Sequence, residues 1–231
     1  MRFLIILFCC ALQVQLHAQE KLITLKAGED ISALYKHVYR YPGFTKGKVN
    51  LTNGDSISVL LNYNLFEGAV QFIDKKDTLL IAEKESIRDI VISDDTFFRE
   101  GTHFLRFIDD YGFTKLAVED KLILHDEQRI GAMGMARPTH NIDSKSTFTS
   151  WQTLGLQLNR DLIFSKEQRF YFLQDGVFHP VTKKALNKLF SFAGKKSLQE
   201  YEHIQKPDLD TETGLRDLFT YMSSVWKSMN K

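Results

Sequence analysis

Residues 45–64 read TKGKVNLTNGDSISVLLNYN, and the spacing of apolar residues inside them decides the fold class. Val49 and Leu51 alternate with Lys48 and Asn50, and Ile57, Val59, Leu61 and Tyr63 fall in one row. Successive strand residues point to opposite faces, so a period of two marks two half-buried strands. Asn53-Gly54 between them is turn chemistry. A two-residue loop would set Val49 opposite Ser58 and send the apolar groups to opposite faces. A three-residue loop, Thr52-Asn53-Gly54, sets Val49 opposite Ile57 and gives Gly54 the left-handed position of a bulge, so this register is predicted.

The same period continues downstream. Strands are expected at 69–74 and 78–83, joined by the charged turn DKKD, then at 87–93, 102–108, 115–118 and 121–125. Residues 131–150 are rich in Gly, Ser and Thr and read as a long mobile loop. Further strands follow at 151–158, 162–164, 170–174 and 177–181, the last two separated by a QDG turn. Short strands at regular spacing predict an antiparallel sheet, curled or stacked.

Helical periods flank this body. GEDISALYKHVYRYPG predicts a short helix from near Asp30, with Ile31, Leu34, Tyr35 and Val38 on one stripe and Pro42-Gly43 as the stop. From Thr182 come TKKALNKLF, a segment opened by the capping box Ser197-x-x-Glu200, and a last helix capped by Asp210. That last helix carries Leu215, Leu218, Phe219, Met222, Trp226 and Met229 on one stripe. The expected class is therefore α+β. A β-rich body with a short N-terminal helix covers residues 19–181, and a packed segment of about three helices covers 182–231.

Residues 1–18 have the three parts of a secretory signal: Arg2, an apolar run over residues 3–12, and a small Ala18 before Gln19 as the cleavage point. The run is shorter than the roughly 20 apolar residues a membrane span needs, and no second such run follows. Both cysteines, Cys9 and Cys10, lie in it. The predicted mature chain thus has no disulfide, thiolate nucleophile or cysteine-ligated metal, and must rely on a packed core. With 30 Lys and Arg against 29 Asp and Glu, no overall field attracts a polyanion, so nucleic acid is not an expected partner.

No nucleophile elbow, phosphate loop or dinucleotide glycine pattern occurs, and no pair of histidines has metal-clip spacing. Met133, Met135 and His140 share one loop and are donors suited to Cu(I). They are candidate metal ligands without a motif, and no cofactor is expected. The pairs Asp94-Asp95 and Asp109-Asp110 and the run His125 to Glu127 could serve acid–base chemistry, but read as turn residues.

Several motifs occur together in order: FTKGKVNLTNGDSISVLLNYN, QFIDKKDTLLIAE, DTFF, and a helical ALNKLF to LRDLFTYM segment. This order resembles a group of exported, uncharacterised Bacteroidota proteins with a signal peptide, an LNYN turn and a QFID–DTL hairpin. Lys76 stands where that group carries glycine before DTL. The resemblance implies an address in the cell envelope (periplasmic, outer-membrane-associated or extracellular) and supplies no activity. Asp55-Ser56-Ile57 and Asp77-Thr78-Leu79 also resemble the O-glycosylation sequon of such proteins, which makes Ser56 and Thr78 candidate modification sites. The expected function is non-enzymatic binding of an envelope protein or glycan. The alternative is a carbohydrate-active or other hydrolase using dispersed Asp, Glu and His.

Overall fold

The structure, a computed structural model, describes residues 22–30, 32–75, 77–81, 86–130, 136–138, 161–190 and 194–229. It is an α+β fold: the described residues form one open, wholly antiparallel sheet and four helices, three of which follow the sheet. The strands run in the order β1 (Ile23–Leu25), β11 (Asp161–Gln174), β9 (Lys115–Ile130), β8 (His103–Asp110), β7 (Asp95–Glu100), β6 (Ile87–Ile92), β2 (Thr45–Leu51), β3 (Ser56–Asn64), β4 (Ala69–Asp74) and β5 (Asp77–Leu80). Two short strands lie off this path, β10 (Ala136–Pro138) against β9 and β12 (Val177–Pro180) against β11. The helices are α1 (Ser32–Val38), α2 (Lys183–Leu189), α3 (Lys195–Gln205) and α4 (Glu212–Met229).

The β2–β3 hairpin has the predicted register. Val49 pairs with Ile57 and Asn50 with Ser56. Leu51 N donates to Asp55 O at 2.8 Å, and Gly54 takes φ +96°, a conformation that costs a residue with a Cβ about 1–2 kcal/mol. The QDG turn is also present: Gln174 pairs with Val177, with Asp175 and Gly176 both at positive φ.

Other boundaries moved. Asp95 opens β7, paired with Ile92 across a Ser93-Asp94 turn, so only Asp94 of that acidic pair is a turn residue. The strands expected at 115–118 and 121–125 are one 16-residue strand, and those at 162–164 and 170–174 are one 14-residue strand. Glu119-Asp120 and the run Ser165 to Arg169 looked like breaks because they interrupt the apolar alternation. They instead pair across the ladder, Asp120 with Gln168 and Glu119 with Arg169. Residues 136–138 of the expected 131–150 loop form β10, and the strand expected at 151–158 lies outside the described residues.

The helix starts were partly misread. Asp30 does begin α1, with its Oδ1 accepting from Ser32 N at 2.8 Å, but Tyr35 is 38% exposed rather than part of the buried stripe. Helix α3 starts at Lys195, which leaves Ser197 inside it and no capping box. Thr211, not Asp210, caps α4 by accepting from Gly214 N at 3.2 Å. Trp226 and Met229 remain 40% and 44% exposed at its end.

Two cores share one face of β8, β9 and β11. The first is enclosed by the curl of the sheet and by α1, and holds Leu34, Val38, Leu61, Tyr63, Phe97, Phe104, Leu122 and Phe164. The second lies under the C-terminal helices and holds Leu116, Val118, Phe170, Phe172, Leu218 and Phe219. On β9 the sequence of that face is Leu116, Val118, Asp120, Leu122, so a charged residue separates the two apolar regions.

The curl is held by an inserted turn. The β8–β9 ladder ends at Arg106–Val118, and the β3–β4 turn fills the gap beyond it. Phe104 N donates to Gly68 O at 3.1 Å on one side, and Leu122 N donates to Leu65 O at 3.0 Å on the other. Both strands thereby satisfy backbone groups that their separation would leave unmade. Gly68 sits at φ +62°, and a Cβ there would lie 2.9 Å from His103 Nδ1.

Candidate functional site

The NYN of the deciding stretch builds the site. Asn62 is nearly fully buried and clamps the chain between α1 and β2. Its Oδ1 accepts from Tyr41 N at 3.2 Å and its Nδ2 donates to Tyr41 O at 3.0 Å. Tyr63 OH donates to Phe104 O at 3.0 Å. Asn64 Oδ1 accepts from Phe66 N and Glu67 N at 2.9 and 3.0 Å, which stabilises the inserted turn. Both asparagines read as turn stabilisers in the sequence. Asn64 does that work, whereas Asn62 fastens a distant segment.

The clamped segment, YRYPGF at residues 39–44, forms one wall of a groove of about 960 Å³. Its apolar lining is mostly aromatic, Tyr35, Tyr39, Tyr41 and Phe44, with Pro42 and Gly43 between them. The rings of Tyr39 and Phe44 meet edge to face at 5.5 Å. Tyr39 OH donates to Gln71 Oε1 at 2.8 Å, and Tyr41 OH to Asp95 Oδ2 at 2.6 Å. Desolvation raises the pKa of both tyrosines, and for Tyr41 the neighbouring Asp95 carboxylate adds to the effect. Both therefore stay neutral hydrogen-bonding rings. Lys36, Arg40 and Lys166 complete the groove with Asn62, Gln71 and Thr78.

Arg40 is also the second member of a chain of seven alternating charges that starts at Asp95 and runs from the groove to α4. Its Nε donates to Asp95 Oδ2 and its Nη1 to Asp120 Oδ2, each at 2.9 Å. Asp120 Oδ2 also accepts from Arg106 Nε at 3.2 Å, and its Oδ1 from Gln168 Nε2 at 2.8 Å. Arg106 Nη2 reaches Glu212 Oε2 at 2.9 Å, and Glu212 Oε1 accepts from Arg216 Nε at 2.9 Å. Arg216 Nη1 ends the chain on Asp109 Oδ2 at 3.4 Å.

Burial alone would raise the pKa of Asp95 and Glu212. Hydrogen bonds from Tyr41 and Arg40 to Asp95, and from Arg106 and Arg216 to Glu212, outweigh it and hold both below the ordinary carboxylate range. Carboxylates fixed as anions at neutral pH are poor proton donors, since general acid–base work needs a pKa near the working pH. The chain is suited to joining the N-terminal segment, the sheet and α4.

The residues singled out from the sequence scatter. Ser56 is exposed at the start of β3, with Oγ donating to Asn50 Oδ1 at 2.7 Å. Thr78 is exposed on β5 and lines the groove. His125 Nε2 lies 2.5 Å from Ser165 Oγ and 4.0 Å from Glu167 Oε1, with no partner in common with the seven-charge chain. Asp95 and Asp109 are the two ends of that chain, while Asp110 caps a turn by accepting from Gly112 N at 2.9 Å. Ala18, Gln19, Met133, Met135, His140 and the side chain of Glu127 lie outside the described residues. Among the described residues no group of three or more His, Cys, Asp or Glu is arranged to hold a metal ion, and no helix is long and apolar enough to cross a membrane.

Sequence reading missed the groove and the arginines beneath it. One signal was available: the run YKHVYRYPGF at 35–44 carries four aromatic and three Lys or Arg and His side chains in ten residues, more than a helix stop requires. No family model matches the chain, and no curated protein and no solved structure matches it either.

Proposed function

We propose that this is an exported, non-enzymatic binding protein of the cell envelope that holds a glycan in the groove of Tyr35, Tyr39, Tyr41 and Phe44. One observation carries the reading. The groove presents four aromatic rings, two of them held by hydrogen bonds within the protein, Tyr39 to Gln71 and Tyr41 to Asp95. Sugars offer apolar C–H faces to such rings and hydroxyls to the polar groups between them, and rings already fixed lose little entropy on binding. The carboxylates next to the groove are ion-paired, which favours holding a ligand over transferring a proton. The export half of the reading rests on the pattern of residues 1–18. Glycosylation of Ser56 and Thr78 is part of the same proposal, supported by the exposure of both residues.

Calorimetric titration of the purified protein against a panel of oligosaccharides tests it. Binding is expected, with about a tenfold loss on Tyr35→Ala, in line with one stacking ring at an exposed site. Binding that is indifferent to Tyr35→Ala and Tyr39→Ala would remove the groove from the account. Slow turnover of a bound oligosaccharide, abolished by Asp95→Asn or His125→Ala, would favour the hydrolase alternative instead. Mass spectrometry of protein from the native host reads Ser56 and Thr78 directly.

A further inference from the structure

We propose that the groove prefers a sugar chain whose rings carry carboxylates. The inference rests on the glycan-binding reading and narrows its ligand class. The charge balance of the whole chain is near zero, 30 basic against 29 acidic residues, yet the charge lining the groove is one-sided. Among the described residues it is lined by Lys36, Arg40 and Lys166 and by no carboxylate. The asymmetry is therefore local and does not follow from composition.

The three cations differ in what they can offer. The guanidinium of Arg40 already bonds Asp95 and Asp120 at 2.9 Å, so it adds little net charge. Lys36 on α1 and Lys166 on β11 are exposed and come from elements far apart in sequence, brought to one groove by the fold. An ammonium is a compact charge with three donors, able to meet an anion from several directions. A uronic-acid chain supplies both matching features in each residue: a ring face for tyrosine and a carboxylate on the ring edge for lysine. A neutral chain meets only the rings and leaves the two ammonium groups without a counter-charge. Interactions of this exposed kind are modest and weaken with salt.

The test is titration with an oligogalacturonate and with the same oligosaccharide fully methyl-esterified, which keeps every ring and removes every charge. The free acid is expected to bind about tenfold tighter at low salt, and the ratio to shrink toward one in about 0.5 M salt, where screening acts over about 4 Å. The double variant Lys36→Gln with Lys166→Gln should bring the ratio close to one even at low salt. Lys188→Gln, on α2 and outside the groove lining, should leave it unchanged. Both variants should keep the parent thermal transition, since the lysines changed are exposed. Equal affinity for acid and ester overturns the carboxylate preference while the glycan reading stands. Binding of neither oligosaccharide, nor of any in the wider panel, overturns both.

Discussion

The two cores occupy one face of the same three strands, yet they are closed in different ways. The first is closed by the sheet itself, which curls around Leu34 and Val38 of α1 and is locked by the Leu65–Gly68 turn between β8 and β9. The second is closed by separate elements, with Leu215, Leu218, Phe219 and Met222 of α4 laid on Leu116, Val118, Phe170 and Phe172. Between them runs the Arg40–Asp120–Arg106–Glu212 chain, whose members touch both sides. An apolar face is therefore not the same thing as a single core. One polar position per strand, Arg106 on β8, Asp120 on β9 and Gln168 on β11, is enough to divide it. The division remains stable because each buried charge there meets an opposite one.

The comparison can be broken most sharply by cutting one ring from each core. Phe104→Ala and Phe219→Ala should each cost about 3–5 kcal/mol in urea unfolding. Because β9 and β11 run through both cores, each is expected to displace one shared transition. A biphasic curve in either variant, followed by circular dichroism and tryptophan fluorescence together, would mean that the cores unfold separately.

Removing the partition comes next. Arg106→Ala leaves Asp120 and Glu212 without their shared guanidinium, and Arg106 and Asp120 are both about 8% exposed. A loss of about 3 kcal/mol is expected. Replacing Arg106, Asp120 and Glu212 together by apolar residues of similar size should recover much of that loss. If the triple variant is as unstable as the single one, the chain does more than balance buried charge.

The inserted turn is a smaller lever. Gly68→Ala must carry a Cβ at positive φ and push on the His103 ring, at about 1–3 kcal/mol. The effect should appear as faster amide exchange at Phe104 and Leu122, the two donors that bond the turn.

Acid should weaken the charge chain that carries the partition. Asp95 and Glu212 have folded pKa values below their ordinary 3.8 and 4.5. Their contribution is thus fully present above those values and is lost as pH falls through them toward the folded pKa. Urea midpoints should decline below about pH 4.5, and Asp95→Asn with Glu212→Gln should flatten the decline. An unchanged acid limb in that double variant would assign the dependence to other carboxylates. Smallest of all, Thr182→Ala removes the α2 cap, in which Oγ1 accepts from Ala185 N at 3.1 Å, and should cost about 1 kcal/mol.

Where local rules act alone, the sequence was legible. The β2–β3 register followed from Gly54 and the row of Ile57, Val59 and Leu61. The QDG turn, the α+β order, the Asp30 and Thr182 starts and most of the α4 stripe followed in the same way. Each depends on neighbours within a few residues, where period and turn chemistry operate. The failures within the sheet share one cause. Asp95, Glu119, Asp120 and the run from Ser165 to Arg169 looked like turns, because a charge within an apolar alternation is unfavourable until a partner is known.

The partners are remote: Arg40 meets Asp120 across 80 positions and Arg106 meets Glu212 across 106. No local pattern encodes those meetings. The groove has the same origin. Its tyrosines lie within ten residues of one another, but Gln71, Thr78 and Lys166 join them only once the sheet has curled. The sequence by itself determined which segments are strands and helices and which faces are apolar, since these are set by side-chain period. Only the tertiary structure decided where one apolar face divides, which charges neutralise one another, and which side chains meet around the groove, because those depend on contacts between residues far apart in the chain.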